Sequence, residues 1–202
     1  MAVQQHSPLD WEIFTIDGLF SPAELTGLRE YVRVRGTAEV KPFTPSPFLN
    51  GKVADPELAD DIYRKMRPFL PAAYTDRAHE LGAAFGTDRA GAAWRFVGAP
   101  GHVMFAEMLP GQLFGLHTDT GCEYDVARNR FSKHTVLVYL NDGFEGGRTA
   151  FYDDALMPLA SIEPKEGRTL AFDIDRFHAG EPVVSGVKRW IGTELVAERI
   201  SL

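Results

Sequence analysis

From about residue 93 onward the chain reads as a succession of short strands. WRFVG, HVMFAEML, HTVLVYLN, GRTAFYD, RTLAFDI and KRWIGTELVAER are rich in β-branched and aromatic residues and are separated by Gly, Pro, Asn and Asp. Strands this short and this numerous must pair with one another, and a chain of them closes into an antiparallel barrel or a sandwich. Two helical patterns precede them. In SPAELTGLREYVRVRG, Ser21 caps, Pro22 suits the first turn, Glu24 completes a capping box, and Leu25, Leu28 and Val32 follow at helical spacing before Gly36 ends the run. A second helix is predicted from Asp55-Pro56, with Leu58, Ile62, Met66 and Leu70 as its apolar stripe and Pro68 as its stop. Residues 11–20 read as a short strand entering the fold, and residues 80–91, rich in Ala and Gly, fit no element. Helices so short cannot bury their stripes alone, so they are expected to pack on the sheet. The expected architecture is one domain over 1–202, mainly β with flanking α-helices, with a helical buttress at about 20–80 and a barrel at about 92–199.

Composition narrows the functions. With 202 residues, 45% of them hydrophobic, the chain can bury one sizeable core. A formal net charge of -7 disfavours gripping a phosphate backbone, so no nucleic acid partner is expected. Cys122 is the one cysteine, which excludes an intramolecular disulfide and a cysteine zinc cluster and fits a reducing compartment. The opening MAVQQHSPLDWEIF lacks the pattern of a signal peptide, and no run of about 18 apolar residues occurs, so no membrane span is expected. A cytoplasmic location is the expectation.

The chemistry concentrates in PGQLFGLHTDTG. His117 and Asp119 are two residues apart, and an extended chain presents both on the same side. His178, in DIDRFHAGEPV, lies 59 residues after Asp119 (178 − 119) and offers a third ligand if the fold returns it. Two His and one carboxylate on one face of a metal, with open positions opposite, is the arrangement of non-haem Fe(II) oxygenases, whose open positions accept cosubstrate and O2. The competing reading makes His117 and His178 ordinary hydrogen-bonded histidines at strand ends. Lys188 lies ten residues after His178 (188 − 178), at the head of KRWIGTEL. A cation there can pair with the far carboxylate of a dicarboxylate cosubstrate; the competing reading is a solvated lysine at a strand end.

These segments together, PGQLFGLHTD, HTVLVYLND, GGRTAF and FHAGEPVVSGVKRW, resemble in order and spacing the Fe(II)/2-oxoglutarate oxygenases, in particular the prolyl 4-hydroxylase-like branch. The resemblance covers roughly residues 92–199, and FTIDGLFSPAEL is weakly similar to that family's helical entry. It implies a double-stranded β-helix, a jelly-roll or cupin-like barrel buttressed by N-terminal helices. It implies Fe(II) held by His117, Asp119 and His178, with these three as the catalytic centre, and 2-oxoglutarate held through its C5 carboxylate by Lys188 with support from Tyr139. Thr149, Leu137 and Trp190 are expected to line the same pocket: Thr135, Leu137 and Tyr139 share a face by alternation, as do Thr149 with Phe151 and Lys188 with Trp190, Gly192 and Glu194. One departure stands out. Members often carry a tyrosine three residues before the glycine of PGQ, and here that residue is Met108.

The activity so implied is hydroxylation of an unactivated C–H bond by O2, with 2-oxoglutarate converted to succinate and CO2. The carboxylate at Asp119 favours hydroxylation over halogenation, because related halogenases leave that position free for chloride. An amino acid, a peptidyl-prolyl residue or another small molecule all fit as substrate, with Arg95, Glu123, Arg130 and Arg148 as candidate substrate contacts. The charged loop from Gly121 to Lys133 reads equally as a lid or as a solvated hairpin. Alternatives are a cupin-like metal-binding protein or dioxygenase without 2-oxoglutarate chemistry, against which Lys188 and Tyr139 argue; a nucleic-acid demethylase, against which the acidic charge argues; and an interaction module with dead ligands, against which the intact triad argues.

Overall fold

The computed structural model describes residues 3–39, 44–45, 48–75, 91–119 and 123–200. The chain enters with the hairpin β1 (Gln4–Leu9) and β2 (Ile13–Asp17), then runs through α1 (Pro22–Arg35), β3 (Thr37–Glu39), β4 (Phe48–Ala54) and α2 (Pro56–Met66). A 3-10 turn at Arg67–Phe69 and the short β5 (Tyr74–Thr75) follow. The strand-rich part holds β6 (Ala93–Gly98), β7 (His102–Met108), β8 (Phe114–His117), β9 (Glu123–Asp125) and β10 (Arg130–Tyr139). It continues with β11 (Glu145–Gly146), β12 (Thr149–Tyr152), β13 (Pro158–Ile162), β14 (Arg168–Asp173), β15 (His178–Gly180), β16 (Val183–Ser185) and β17 (Lys188–Ile200).

Among the described residues, the large sheet runs β1-β2-β14-β10-β17-β7-β4-β3 and the small one runs β13-β12-β15-β8, every pairing antiparallel. The two sheets face each other as the double-stranded β-helix, and the six segments first read as strands all lie in it. The strand expected within residues 11–20 is β2. Residues 76–90, which include most of the stretch that fitted no element, lie outside the described residues.

Both helices start where their caps require. Ser21 Oγ accepts the Glu24 N–H at 3.3 Å while the Glu24 carboxylate accepts the Ser21 N–H at 2.7 Å, a reciprocal capping box. Asp55 Oδ1 accepts the Leu58 N–H at 3.0 Å with Pro56 in the first turn. The second helix ends at Met66, just before Pro68. The first ends at Gly36, whose backbone is extended (φ -72) rather than left-handed, so this glycine is not a left-handed cap.

The helical stripes pack on the outer face of the large sheet. Leu25, Leu28 and Val32 of α1 and Ile62 and Met66 of α2 join Val103, Phe105, Val136, Val138, Ile191 and Leu195 in one core. Each fully buried aliphatic side chain contributes roughly 1.5–3 kcal/mol. Alternation along β10 and β17 then turns Leu137, Tyr139 and Trp190 to the opposite face, where they form a second cluster with Phe151 and Phe172 between the sheets. Among the described residues, no helix is long and apolar enough to cross a membrane.

Candidate metal and cosubstrate site

β15 pairs antiparallel with β8 so that His178 stands directly opposite His117, which brings together two residues 61 apart in sequence (178 − 117). Their rings lie 4.2 Å apart, centroid to centroid. Asp119 follows the end of β8, fixed by its own N–H donating to the Ile174 carbonyl at 3.0 Å. Its Oδ1 lies 3.3 Å from His117 Nε2 and its Oδ2 lies 3.5 Å from His178 Nε2. One ligand atom from each of the three residues falls within 4.8 Å of the others.

The donor set suits a metal, and the backbone behind it shows why. His117 Nδ1 lies 2.7 Å from the Gly115 carbonyl, and His178 Nδ1 lies 3.0 Å from the Arg176 carbonyl. A carbonyl can only accept, so each Nδ1 carries the proton and each Nε2 presents a lone pair to the common centre. Thr135 donates to Asp119 Oδ2 at 2.7 Å, restraining the carboxylate. Burial pushes the His178 imidazolium toward deprotonation, against the opposing pull of Asp119. For Asp119, burial acts to raise the carboxyl, but the two histidines and Thr135 outweigh it and the net shift is downward. A neutral imidazole at His178 and a carboxylate at Asp119 are the forms that bind a divalent ion.

The triad opens into a cavity of about 340 Å³ between the sheets. Lys188 lines it at 3% exposure, donating to the Gly147 carbonyl at 2.6 Å with its Nζ 5.4 Å from the centre of the Tyr139 ring. A lysine ammonium has three protons to donate, and the cavity is where an anion would meet them. Burial depresses Lys188 to about 8, with Glu181 pulling the other way. Thr149, Leu137 and Trp190 line the same cavity as expected from alternation. Tyr139 does not. It is fully buried behind Thr149, sharing a 2.7 Å hydrogen bond with the Thr149 hydroxyl. Burial raises its phenol to about 12, so it stays neutral and supports the cavity through Thr149. Phe151, likewise absent from the lining, packs against Phe172 and the His178 ring. Met108 lines the cavity directly opposite Lys188 on the neighbouring strand, so the position where a tyrosine is often found offers only an apolar contact here.

The candidate substrate arginines lie elsewhere, because each finds a carboxylate partner within its own sheet. Arg95 and Arg130 flank Glu198 from β6 and β10, at 2.8 and 3.0 Å. Glu198 sits ten residues along β17 from Lys188 (198 − 188), roughly 33 Å of strand. Arg148 turns outward from β12, pairs with Glu163, and reaches Ser161 Oγ at 2.8 Å. None of the three lines the cavity. Glu123 pairs through its backbone in β9, and its side chain lies outside the described residues, as do Gly121 and Cys122. The described remainder of that loop is a hairpin: β9 turns at Val126–Arg128 and pairs with β10.

Residues not singled out from the sequence complete the wall. Phe48, Asn50 and Lys52 of β4, Met104 of β7 and Phe114 of β8 all line the cavity. The alternation of Phe48, Asn50 and Lys52 against Leu49 and Val53 is a strand signal, but Asn50-Gly51 reads locally as a turn.

Residues 103–195 match the family model described as 2OG-Fe(II) oxygenase superfamily. No curated protein matches the chain by sequence. Among solved structures, a viral collagen prolyl hydroxylase from Paramecium Bursaria Chlorella virus-1, in a 2OG complex, is 24% identical with a TM-score of 0.57 over 93% of this chain and 96% of that one. A Pseudomonas putida prolyl-4-hydroxylase is 14% identical with a TM-score of 0.59 over 96% of each chain. A prolyl hydroxylase from Trichoplax adhaerens, in complex with a hypoxia inducible factor oxygen degradation domain peptide fragment, is 14% identical with a TM-score of 0.58 over 94% of this chain and 85% of that one. At such identities the likeness establishes the fold they share. The matched segment runs from β7 into β17 and takes in both histidines, Asp119 and Lys188, so the match to the 2OG-Fe(II) oxygenase superfamily falls on the residues that form the site.

Proposed function

We propose that this oxygenase hydroxylates an unactivated C–H bond of an amino acid, a peptidyl-prolyl residue or a small molecule, with Fe(II) on His117, Asp119 and His178 and with 2-oxoglutarate anchored by Lys188. The observation that carries the reading is the pairing of two histidines, each aimed by a carbonyl behind it, with a buried lysine in the same cavity. Iron and 2-oxoglutarate together supply the oxidising chemistry, consuming O2 and releasing succinate and CO2.

The chain's own residues bind, orient and exclude water. The ammonium of Lys188 meets the far carboxylate of the cosubstrate in a site where a charge-assisted bond is little screened. Thr149, steadied by Tyr139, offers its hydroxyl beside it, and Leu137 and Trp190 close the sides. In this reading the keto acid end faces the triad. The remaining cavity, walled by Phe48, Met104 and Phe114, receives the substrate carbon in an apolar setting. The prolyl hydroxylases that share the fold make a proline ring the first substrate to try.

Anaerobic addition of Fe(II) and 2-oxoglutarate is expected to produce a visible metal-to-ligand absorption band, and oxygen is then expected to yield succinate. Iron binding without that band would favour the alternative of a metal-binding barrel lacking 2-oxoglutarate chemistry.

A further inference from the structure

We infer that Lys52 selects a substrate bearing a free carboxylate, held at the mouth of the cavity while an apolar carbon lies over the metal. The inference rests on the oxygenase reading above and names the substrate class for the same site.

The placement of Lys52 follows from register. β4 turns Phe48, Asn50 and Lys52 to one face and Leu49 and Val53 to the other. The second set packs on the helix-side core, and the first lines the cavity. Pairing sets Lys52 opposite Met104 of β7, Met104 opposite Gly192 of β17, and Gly192 opposite Leu137 of β10. Lys52 is therefore three strands across from Leu137, about 14 Å at ordinary strand spacing. Leu137 is two residues from Thr135, whose hydroxyl holds Asp119. Met104 and Phe114, both apolar, line the same cavity as Lys52 and the triad. On the opposite face, Gly51 lets the Phe105 ring pack over β4 within the helix-side core: a Cβ there would come within 2.5 Å of that ring.

The polar side chains around the cavity divide by task. Thr135 holds Asp119, Thr149 holds Tyr139, Lys188 donates to Gly147, and the Asn50 amide donates to the Phe48 carbonyl at 2.8 Å. Lys52 makes no hydrogen bond and no ion pair among the described residues, although its charge reaches Glu194. It is exposed, whereas Lys188 is buried. A cavity with one buried cation for the cosubstrate and one cation at the entrance, separated by apolar wall, fits a second acid of short apolar body. The carboxylate has two chemical sources, a free acyl amino acid and a peptide C-terminus.

The test is a titration of the protein loaded anaerobically with Fe(II) and 2-oxoglutarate, following perturbation of its visible band. The probes are N-acetyl-L-proline and N-acetyl-L-leucine, each against its carboxamide, and a Gly-Gly-Pro tripeptide with free and amidated C-terminus. Each acid is expected to bind about five- to tenfold tighter than its amide, the scale of a charge-assisted bond at a partly solvated site. In Lys52→Met the ratio is expected to fall to about one, and in Lys52→Arg, which keeps the charge, it is expected to persist. A preference among acyl amino acids alone assigns the free acid, and one shared by the tripeptide assigns the C-terminus. Equal binding of acid and amide, binding of neither, or an unchanged ratio in Lys52→Met overturns the inference while leaving the oxygenase reading intact. Failure of the band to form overturns that reading, and this inference with it.

Discussion

Thr135 on β10 donates its hydroxyl proton to Asp119 Oδ2 across 2.7 Å, tying the carboxylate of one sheet's loop to a strand of the other. The bond leaves Oδ1 facing His117 and fixes which lone pairs point at the metal position. Thr135→Val keeps the shape of the side chain and deletes that bond. Iron affinity is expected to fall about 10- to 100-fold, the usual scale for a group that orients a ligand from behind. Circular dichroism and melting temperature should stay close to those of the parent protein. Metal titration under anaerobic conditions checks this, and an unchanged affinity would show that Asp119 is oriented by its backbone anchor to Ile174 alone.

Lys188 sets stability against function. Its folded value of about 8 lies below its ordinary value of 10.5 because burial penalises the charge. Below pH 8 the folded protein holds a buried cation that unfolding would release into water, so the charge costs stability, on the order of 3 kcal/mol at full effect. Between pH 8 and 10.5 the unfolded chain binds more protons than the folded one, so stability rises with pH across that window. Lys188→Met is therefore expected to melt higher than the parent at pH 7 without 2-oxoglutarate, and to lack the rise above pH 8. With 2-oxoglutarate present the order reverses, because the variant has lost the cation and about 100-fold in affinity. In the parent protein, 2-oxoglutarate binding should weaken as pH climbs past 8. Thermal melts across pH, with and without the cosubstrate, read all of this in one series.

The local signals survived folding and the distant ones did not. Ser21 and Asp55 announce their helices because a cap needs only the next three residues. β10 and β17 announce themselves through ten and thirteen residues of strand texture. β8 and β15, which carry the two histidines, are four and three residues long, too short for any period to show, and they were legible only through the spacing of known motifs. The arginines show the opposite failure. Nothing near Arg95 or Arg130 in sequence betrays Glu198, 103 and 68 residues away, which claims both. Lys52 follows Asn50-Gly51, a dipeptide that favours turns, inside a strand that pairing with β7 makes continuous.

Gly192 illustrates how closely β17 and β10 approach. A Cβ at that position would stand 1.9 Å from the Val136 carbonyl oxygen, a backbone atom that cannot swing aside. Gly192→Ala must push apart the two central strands, one bearing Lys188 and the other Thr135. The expected cost is more than about 3 kcal/mol, at the severe end for a single substitution. Urea unfolding should show a lowered midpoint, and soluble expression should fall. A midpoint within error of the parent would mean that the strands separate more easily than their pairing implies.

The triad and the arginines make opposite predictions in the same assay. Asp119→Ala removes the one anionic ligand, so two neutral imidazoles must hold a dication without charge compensation. Iron affinity is expected to drop by more than about 100-fold and succinate formation to vanish into background. Arg148→Ala removes an outward side chain whose partners are Glu163 and Ser161 of the adjacent strand. Exposed pairs of this kind contribute about 0–1 kcal/mol, so succinate formation should stay within about twofold of the parent. Measuring both variants side by side, with iron content determined for each, separates a metal centre from a general disturbance of the small sheet, because Arg148 immediately precedes Thr149 on a strand paired with that of His178. Succinate release by Asp119→Ala at the parental rate would remove the carboxylate from the iron site.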